Sequence, residues 1–424
     1  CGLFQGLKNL RKKNWDKLST DPSKIDAVLL THAHIDHSGY LPRLVKDGFK
    51  GPIYSTSGSF ELAKLMLPDS AHIMEEDARY ANINKHSKHQ PALPLFESKD
   101  AAKALTQFKV VPYYEEFKLR DHIFVKYVPS GHILGAASIV VEDKRKGIRI
   151  GFSGDLGRQN DPIMRPPEPI ERLNYLILES TYGDKSHPIK NPEKELENII
   201  NETARKGGSL VIPAFSVGRT QLLLYLLSQL LEQKRIPDLP IYLNSPMSSN
   251  ATEIYCKNSE YHKLSEKHCR KIFSCARFIR EKDESIALNK KPSPMIIISA
   301  SGMATGGRVL YHMTRFLPDE KSTILFTGYQ APGTRGEKLV NGAKTIKIHG
   351  ADWPVKARII QLESMSAHAG QDEIMSWIKG IKLQPRNIFI VHGEEKTSEI
   401  LAKKITTQMG WRATLPEMGE SFDL

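Results

Sequence analysis

The sequence predicts an α/β protein, because three textures follow one another along its 424 residues. Residues 121–152 alternate apolar and polar with a period of two. Beyond residue 182 apolar strands alternate with helices, and residues 355–424 repeat that alternation. The length points to two domains, and 40% hydrophobic with 25% charged residues describes a soluble globular chain.

Residues 25–30, Ile-Asp-Ala-Val-Leu-Leu, are short and β-rich and read as a buried strand. Residues 38–47 read as a helix that Gly48 ends in a left-handed cap. Residues 52–56 form a strand and residues 58–66 begin a helix. Residues 72–90 are a polar surface excursion in which His72, His86 and His89 are solvated. Within 121–152, Ile123, Val125 and Tyr127 alternate with Phe124, Lys126 and Val128. The runs 137–141 and 148–152 meet across a charged turn at 142–147, which makes an antiparallel meander. Residues 175–178 form another apolar strand, ending at Glu179. A helix over 193–205, a strand over 209–213 and a helix over 219–233 follow. Strands at 241–243, 295–298 and 323–326, with a helix over 307–316, then describe a parallel or mostly parallel sheet. A strand over 357–361, a helix over 371–379, a strand over 387–391 and a helix over 397–409 close the chain.

A net charge of +12, from 60 Lys+Arg against 48 Asp+Glu, favours an anionic partner such as nucleic acid. The basic stretch 257–280 could track a polynucleotide backbone, although such runs are usually solvated faces. Cys1, Cys256, Cys269 and Cys275 are too few for a disulfide framework, so a reducing, cytoplasmic compartment is the simplest reading. Cys269 and Cys275 with His262 and His268 fit no common zinc spacing. The longest apolar run, 222–231, is too short to span a bilayer, so no membrane partner is expected.

Thr31-His32-Ala33-His34-Ile35-Asp36-His37 ends the first strand. On an extended segment His32, His34 and Asp36 point the same way, with His37 one step round the turn. Three imidazoles and a carboxylate exceed what one four-coordinate ion takes from one stretch, whereas two ions would use all four. Other polar residues follow apolar strands, where loops collect at a sheet edge. His132 lies in Ser130-Gly131-His132-Ile133-Leu134-Gly135 and Asp155 in Ser153-Gly154-Asp155-Leu156-Gly157. Glu179 ends its strand, His368 lies in Ser366-Ala367-His368-Ala369-Gly370, and His392 follows Ile390-Val391. Each alone is more often a capping residue than a ligand. Together they supply a second ligand set. Ser216-Val217-Gly218-Arg219-Thr220 and the run from Ser301-Gly302 to Gly307-Arg308 connect strands to helices. Backbone N–H groups beside Ser, Thr and Arg make phosphate sites there.

The ordered set His32, His34, Asp36, His37, His132 and Asp155 resembles the metallo-β-lactamase fold. Glu179, His368 and His392 resemble motifs A, B and C of the β-CASP nucleases, a family that includes the nuclease subunit of the eukaryotic pre-mRNA 3′-end cleavage machinery. Pro213-Ala214-Phe215-Ser216-Val217-Gly218-Arg219-Thr220-Gln221 and Ser299-Ala300-Ser301-Gly302-Met303 also match the inserted domain of that family, so the resemblance covers nearly the whole chain. It implies an αββα metallo-β-lactamase sandwich over residues 1–182 and 355–424, with an α/β β-CASP domain of mostly parallel sheet inserted over 183–354. The family's first motif, an aspartate commonly just before Cys-Gly, is expected to precede Cys1 with its strands.

The resemblance further assigns one zinc to His32, His34 and His132 and another to Asp36, His37 and His392, with Asp155 bridging both. Manganese is the alternative that these ligand types allow. A hydroxide held between two dications is available at neutral pH, and Asp36 could orient it. His368 is expected to contact the scissile phosphate and protonate the leaving oxygen, with Glu179 orienting its ring. The plainer reading is that the pair braces the sheet edge. Ser216, Arg219, Thr220, Ser301, Gly302, Arg308 and His368 are the expected substrate contacts. The implied activity is a zinc-dependent ribonuclease in RNA processing, acting on single-stranded RNA as endonuclease, 5′→3′ exonuclease or both, and leaving a 5′-phosphate. DNA-acting members typically carry valine at motif C, so His392 favours RNA over DNA. Small-molecule hydrolases of this fold generally lack the long insertion. The sequence leaves the oligomeric state open, with a homodimer among the options.

Overall fold

The computed structural model describes residues 1–85, 87–187 and 191–424. His86, expected on the surface, lies outside the described residues. The chain divides into two compact units: Cys1–Ser186 with His368–Leu424, and His187–Ala367. Among the described residues no helix is long and apolar enough to cross a membrane.

In the first unit Val28–Leu29, Ile53–Ser55 and Phe108–Val110 form a small parallel sheet. A seven-stranded sheet runs in the order Ala413–Thr414, Asn387–Val391, Tyr175–Glu179, Ile148–Phe152, Ala137–Asp143, Ile123–Pro129, Glu116–Arg120. Its first four strands are parallel, and the remainder is the antiparallel meander. Strand alternation splits the apolar residues between two layers. Val125, Tyr127, Ala137 and Ile139 meet Leu29 and Tyr54 of the small sheet. Val140, Leu176, Leu178 and Ile390 pack on the other side. They meet Ile374, Trp377 and Ile378 of the helix Gln371–Lys379, and Leu401 and Ile405 of the helix Glu395–Met409. The helices Leu41–Lys46, Ser57–Ile83 and Ser98–Leu105 pack together beside the small sheet. The result is the αββα sandwich.

Register sets the site edge. Val391 lies opposite Glu179, and Phe152 opposite Ile177. Glu179, the last residue of its strand, and Asp155 and His392, beyond the ends of theirs, therefore emerge at one edge. The backbone of Ala137 donates to Thr31 O at 2.9 Å, which ties the segment leading into His32 to the large sheet.

Three local expectations change. The stretch 30–37 is extended only as far as His34, and Ile35–Ser38 is a helical turn. Asp36 and His37 therefore leave the strand alternation. The helix begun at Ser57 runs to Ile83, through Pro68, so much of the supposed excursion is helical, with His72 on its exposed side. The strand 357–361, expected in the returning segment, is Arg358–Gln361, and it pairs with Thr323–Phe326 in the second unit. Its apolar residues find their ladder there rather than beside Asn387–Val391.

The second unit is a six-stranded, all-parallel sheet in the order Arg277–Phe278, Ile241–Leu243, Ile296–Ser299, Leu210–Pro213, Thr323–Phe326, Arg358–Gln361. Its near-continuous apolar strands are what burial on both faces requires. Val211, Ile297, Ile324 and Phe326 pack against Val309, Met313 and Phe316 of the helix Val309–Phe316. A separate antiparallel hairpin, Thr345–Ile348 with Ala351–Pro354, is invisible as a helix–strand alternation.

Candidate metal centre

The cluster is built by a strand exit that becomes a helix start. Leu30 N–H donates to Tyr54 O at 2.9 Å, holding the exit extended, and the His37 and Ser38 N–H groups then donate to His34 O. Ser38 Oγ donates to Ala33 O at 2.7 Å. The extended part aims His32 and His34 inward, and the helical turn swings Asp36 and His37 round. The backbone of residue 2 lies so close that a Cβ there would stand 1.3 Å from Asp36 O, so only glycine fits.

The other residues arrive on tight turns. Gly131, at φ +72, would place a Cβ 2.5 Å from Arg165 O, and its turn presents His132. Gly154, at φ +56, precedes Asp155. His392 itself sits at φ 56, an uncommon state for a residue with a Cβ, directly after its strand.

His32, His34, His132 and Asp155 converge so that one donor atom from each lies within 4.8 Å of the others. His34 Nδ1 is 3.1 Å from His132 Nε2, and Asp155 Oδ2 is 3.4 Å from His32 Nε2 and 3.6 Å from His132 Nε2. Asp36, His37 and His392 form a second group. His37 Nε2 is 3.0 Å from His392 Nε2, and Asp36 Oδ2 is 3.7 Å from the latter. The second oxygen of Asp155, Oδ1, faces this group, 3.3 Å from His37 Nε2 and 3.5 Å from His392 Nδ1.

A four-coordinate zinc with ligands at about 2.0–2.1 Å holds its donors about 3.3 Å apart. Most of the separations lie near that spacing, although Asp36 Oδ2 and His37 Nε2 are 4.0 Å apart and His392 meets His37 through Nε2 but Asp155 through Nδ1. Buried His32 Nε2 and Asp155 Oδ1 make no protein hydrogen bond, which is what donors kept for a cation look like. The residues fit bound divalent metal.

The electrostatics agree. Burial, then neighbouring His37, keeps His32 neutral well below its ordinary pKa, and burial lowers His34 to about 4. Their lone pairs are therefore free to ligate. Burial alone would protonate Asp155, but His37, His392 and His32 together hold it ionised. Asp36 is exposed on one side, and the partial desolvation that opposes its ionisation is outweighed by a hydrogen bond from His392 and the charges of His37 and His34. Burial would lower His392, yet Asp155 and Asp36 push it up to about 10. Of these groups, His392 is the one whose hold on a proton is strengthened.

Glu179, buried, accepts from Leu156 N–H at 2.6 Å through Oε1 and from Thr181 N–H at 3.2 Å through Oε2. His368 Nδ1 lies 3.5 Å from Glu179 Oε2 and 3.9 Å from Asp155 Oδ2. Burial lowers the His368 pKa, but the carboxylate of Glu179 more than offsets it, and the net shift is upward. Thr181, absent from the sequence reading, places Oγ1 3.2 Å from His392 Nδ1. A threonine two positions beyond a strand carries no signal of that kind in sequence.

The expected substrate contacts lie in the second unit, apart from His368. Thr220 Oγ1 donates to Phe215 O at 2.8 Å, and Arg219, buried, opens the helix Arg219–Glu232 beside Ser216 and the turn at Gly218. Ser301 Oγ pairs with Thr305, and Gly302 sits under the Phe215 ring, 2.9 Å from where its Cβ would be. Arg308 donates to Asn244 Oδ1 at 3.0 Å, Ile279 O at 3.3 Å and Arg280 O at 2.7 Å. In the basic stretch, Arg270, Lys271, Arg277 and Arg280 are paired with Glu266, Glu232, Glu284 and Glu253. Buried Cys256 and Cys269 place their sulfurs 2.7 Å apart, while both ring nitrogens of His262 bond to backbone, so the cysteines and histidines of this region do not assemble a zinc set.

Comparison with known proteins gives three matched segments. The metallo-beta-lactamase superfamily profile matches residues 6–206, the Beta-Casp domain matches 220–339, and the Zn-dependent metallo-hydrolase RNA specificity domain matches 352–416. Ribonuclease TTHA0252 of Thermus thermophilus is 32% identical over 99% of this chain and 92% of its own. An RNase J-like protein of Methanocaldococcus jannaschii is 31% identical over 96% of this chain and 88% of its own. Transcription termination factor FttA of the same archaeon is 30% identical over 93% of this chain, which spans 62% of that relative. The chain is a metallohydrolase of the β-CASP family, within the metallo-β-lactamase superfamily.

Proposed function

We propose that the protein is a zinc-dependent ribonuclease that hydrolyses phosphodiester bonds of single-stranded RNA, with two zinc ions per chain. The observation that carries the reading is Asp155, whose two oxygens face two separate donor groups at cation-ligand spacing. His32, His34 and His132 would hold one ion, Asp36, His37 and His392 the other, and Asp155 both. Bound there, two dications lower the pKa of a water and neutralise charge on the phosphate.

The chain's own groups supply the rest. Asp36, ionised and 43% exposed, can orient the attacking water from the open side. His368 keeps its proton on account of Glu179 and delivers it to the leaving oxygen, while Glu179 is itself pinned by Leu156 and Thr181. RNA as substrate is supported by the ribonuclease names of the relatives, the RNA specificity domain and the net charge of +12. A cytoplasmic site of action fits the four free cysteines.

The test is incubation with end-labelled single-stranded RNA and DNA, with zinc, with manganese and with chelator. Zinc-dependent cleavage of RNA alone is expected, and the ladder separates endonucleolytic from 5′→3′ cutting. Chelator-insensitive cleavage, or none from zinc-loaded protein, would overturn the reading.

A further inference from the structure

We propose that Glu373 is a positioning residue for His368: through Arg158 it fixes the loop that carries His368 against the loop that carries Asp155. The inference rests on the reading of His368 as proton donor.

Glu373 is the third residue of the helix Gln371–Lys379, whose N-cap is Gly370. Oε2 accepts Gly370 N–H at 2.9 Å, the ordinary use of a carboxylate at that position. Oε1 accepts Gln159 N–H at 3.1 Å, and Arg158 Nε lies 3.1 Å from Oε1 and 2.8 Å from Oε2. Capping needs only the first of these contacts. The others reach a different segment, and that segment begins at Asp155. Both side chains are shielded, at 22% and 19% exposed, so solvent weakens the pair less than it would at the surface.

The two loops are joined once more by backbone. Ala369 N–H donates to Leu156 O at 2.7 Å, and Leu156 N–H donates to Glu179 Oε1. His368 closes a ring by facing Glu179 Oε2. Just beyond His368, Gln371 is held to another segment, its N–H donating to Lys185 O at 3.0 Å and its Nε2 to Gly183 O at 2.6 Å. The Glu373–Arg158 and Glu373–Gln159 ties join the helix start that follows His368 to the segment that follows Asp155, and so limit the freedom of the His368 ring to swing away from a leaving oxygen.

The experiment uses the full chain, zinc-loaded, as wild type and as Glu373→Ala, Glu373→Gln and Arg158→Ala. Each is assayed on single-stranded RNA and on bis(p-nitrophenyl) phosphate. The nitrophenolate departs without a proton, whereas the ribose oxygen of RNA needs one. Glu373→Ala is expected to lower kcat on RNA about 10–100-fold with KM and zinc content unchanged. Turnover of the activated diester should change by less than about 3-fold, because proton delivery contributes little there. Glu373→Gln, which keeps an acceptor for Gly370 but loses the charge paired with Arg158, should recover only the part of the loss that belongs to the cap. Arg158→Ala should lose less, and non-additively with Glu373→Ala.

Equal losses on both substrates, or lost zinc, would mean that the pair only supports the fold, and wild-type RNA rates would also overturn the proposal. No RNA cleavage by the wild-type protein would defeat the ribonuclease reading and this proposal with it. Wild-type cleavage combined with substrate-independent loss would defeat the proposal alone.

Discussion

Nε2 of His37 and Nε2 of His392 stand 3.0 Å apart, although they come from opposite ends of the chain. Two imidazole nitrogens approach this closely only when a proton or a cation lies between them. Asp36 and Asp155 add negative charge on either side, so the structure fixes a demand for positive charge and leaves its carrier open.

That demand has a pH signature. His392 is held at about 10, against 6.5 for an ordinary histidine. Its protonation stabilises the metal-free fold fully below pH 6.5 and is lost as pH rises through 10. A cation must displace that proton. Calorimetry at about pH 8 in buffers of different ionisation enthalpy should show at least one proton released per chain on zinc binding, where an unshifted histidine would release almost none. Zinc affinity should rise with pH across this window. Proton-neutral binding would contradict the assignment.

Removing single ligands should divide the centre. His392→Ala is expected to reduce bound zinc from about two to about one per chain, read by elemental analysis, with the three-histidine group retained. Asp155→Asn preserves shape but removes the charge that faces both groups, and should deplete both ions.

His368→Ala should leave zinc content unchanged and lower RNA cleavage by about 10²–10⁴-fold, the usual worth of a positioned acid. Near-wild-type cleavage would reduce Glu179 and His368 to a brace of the sheet edge.

Arg308 separates binding from architecture. Its guanidinium bonds to Asn244, Ile279 and Arg280 within the second unit. Arg308→Ala should therefore appear as a lowered Tm with little change in KM for RNA, costing about 1–3 kcal/mol for the acceptors left unpaired. A raised KM at unchanged Tm would restore it as a phosphate contact.

Gly131→Ala tests the turn that presents His132. At φ +72, with Arg165 O in the way, the added Cβ is expected to cost about 1–3 kcal/mol, measured by thermal melting.

The residues that converge at the candidate centre were legible because side chains of metal-ligating type are chemically scarce and cluster after apolar strands. The meander was legible because one face of it is buried, which enforces the period of two. The helical turn at Ile35–Ser38 was not, since two histidines and an aspartate satisfy a strand pattern as well as a helix start. Nor was the seat of Arg358–Gln361, because a short apolar strand does not say which sheet completes its ladder. Thr181, Arg158 and Glu373 were unreadable for a different reason. Their roles depend on partners that only the fold brings near.

The most direct measurement is a titration of zinc into metal-free protein, followed by cleavage of end-labelled single-stranded RNA at each equivalent. Activity should stay near zero through the first equivalent and rise with the second, as both groups facing Asp155 fill. Full activity in chelator, or a plateau reached with the first equivalent, would contradict a two-cation centre.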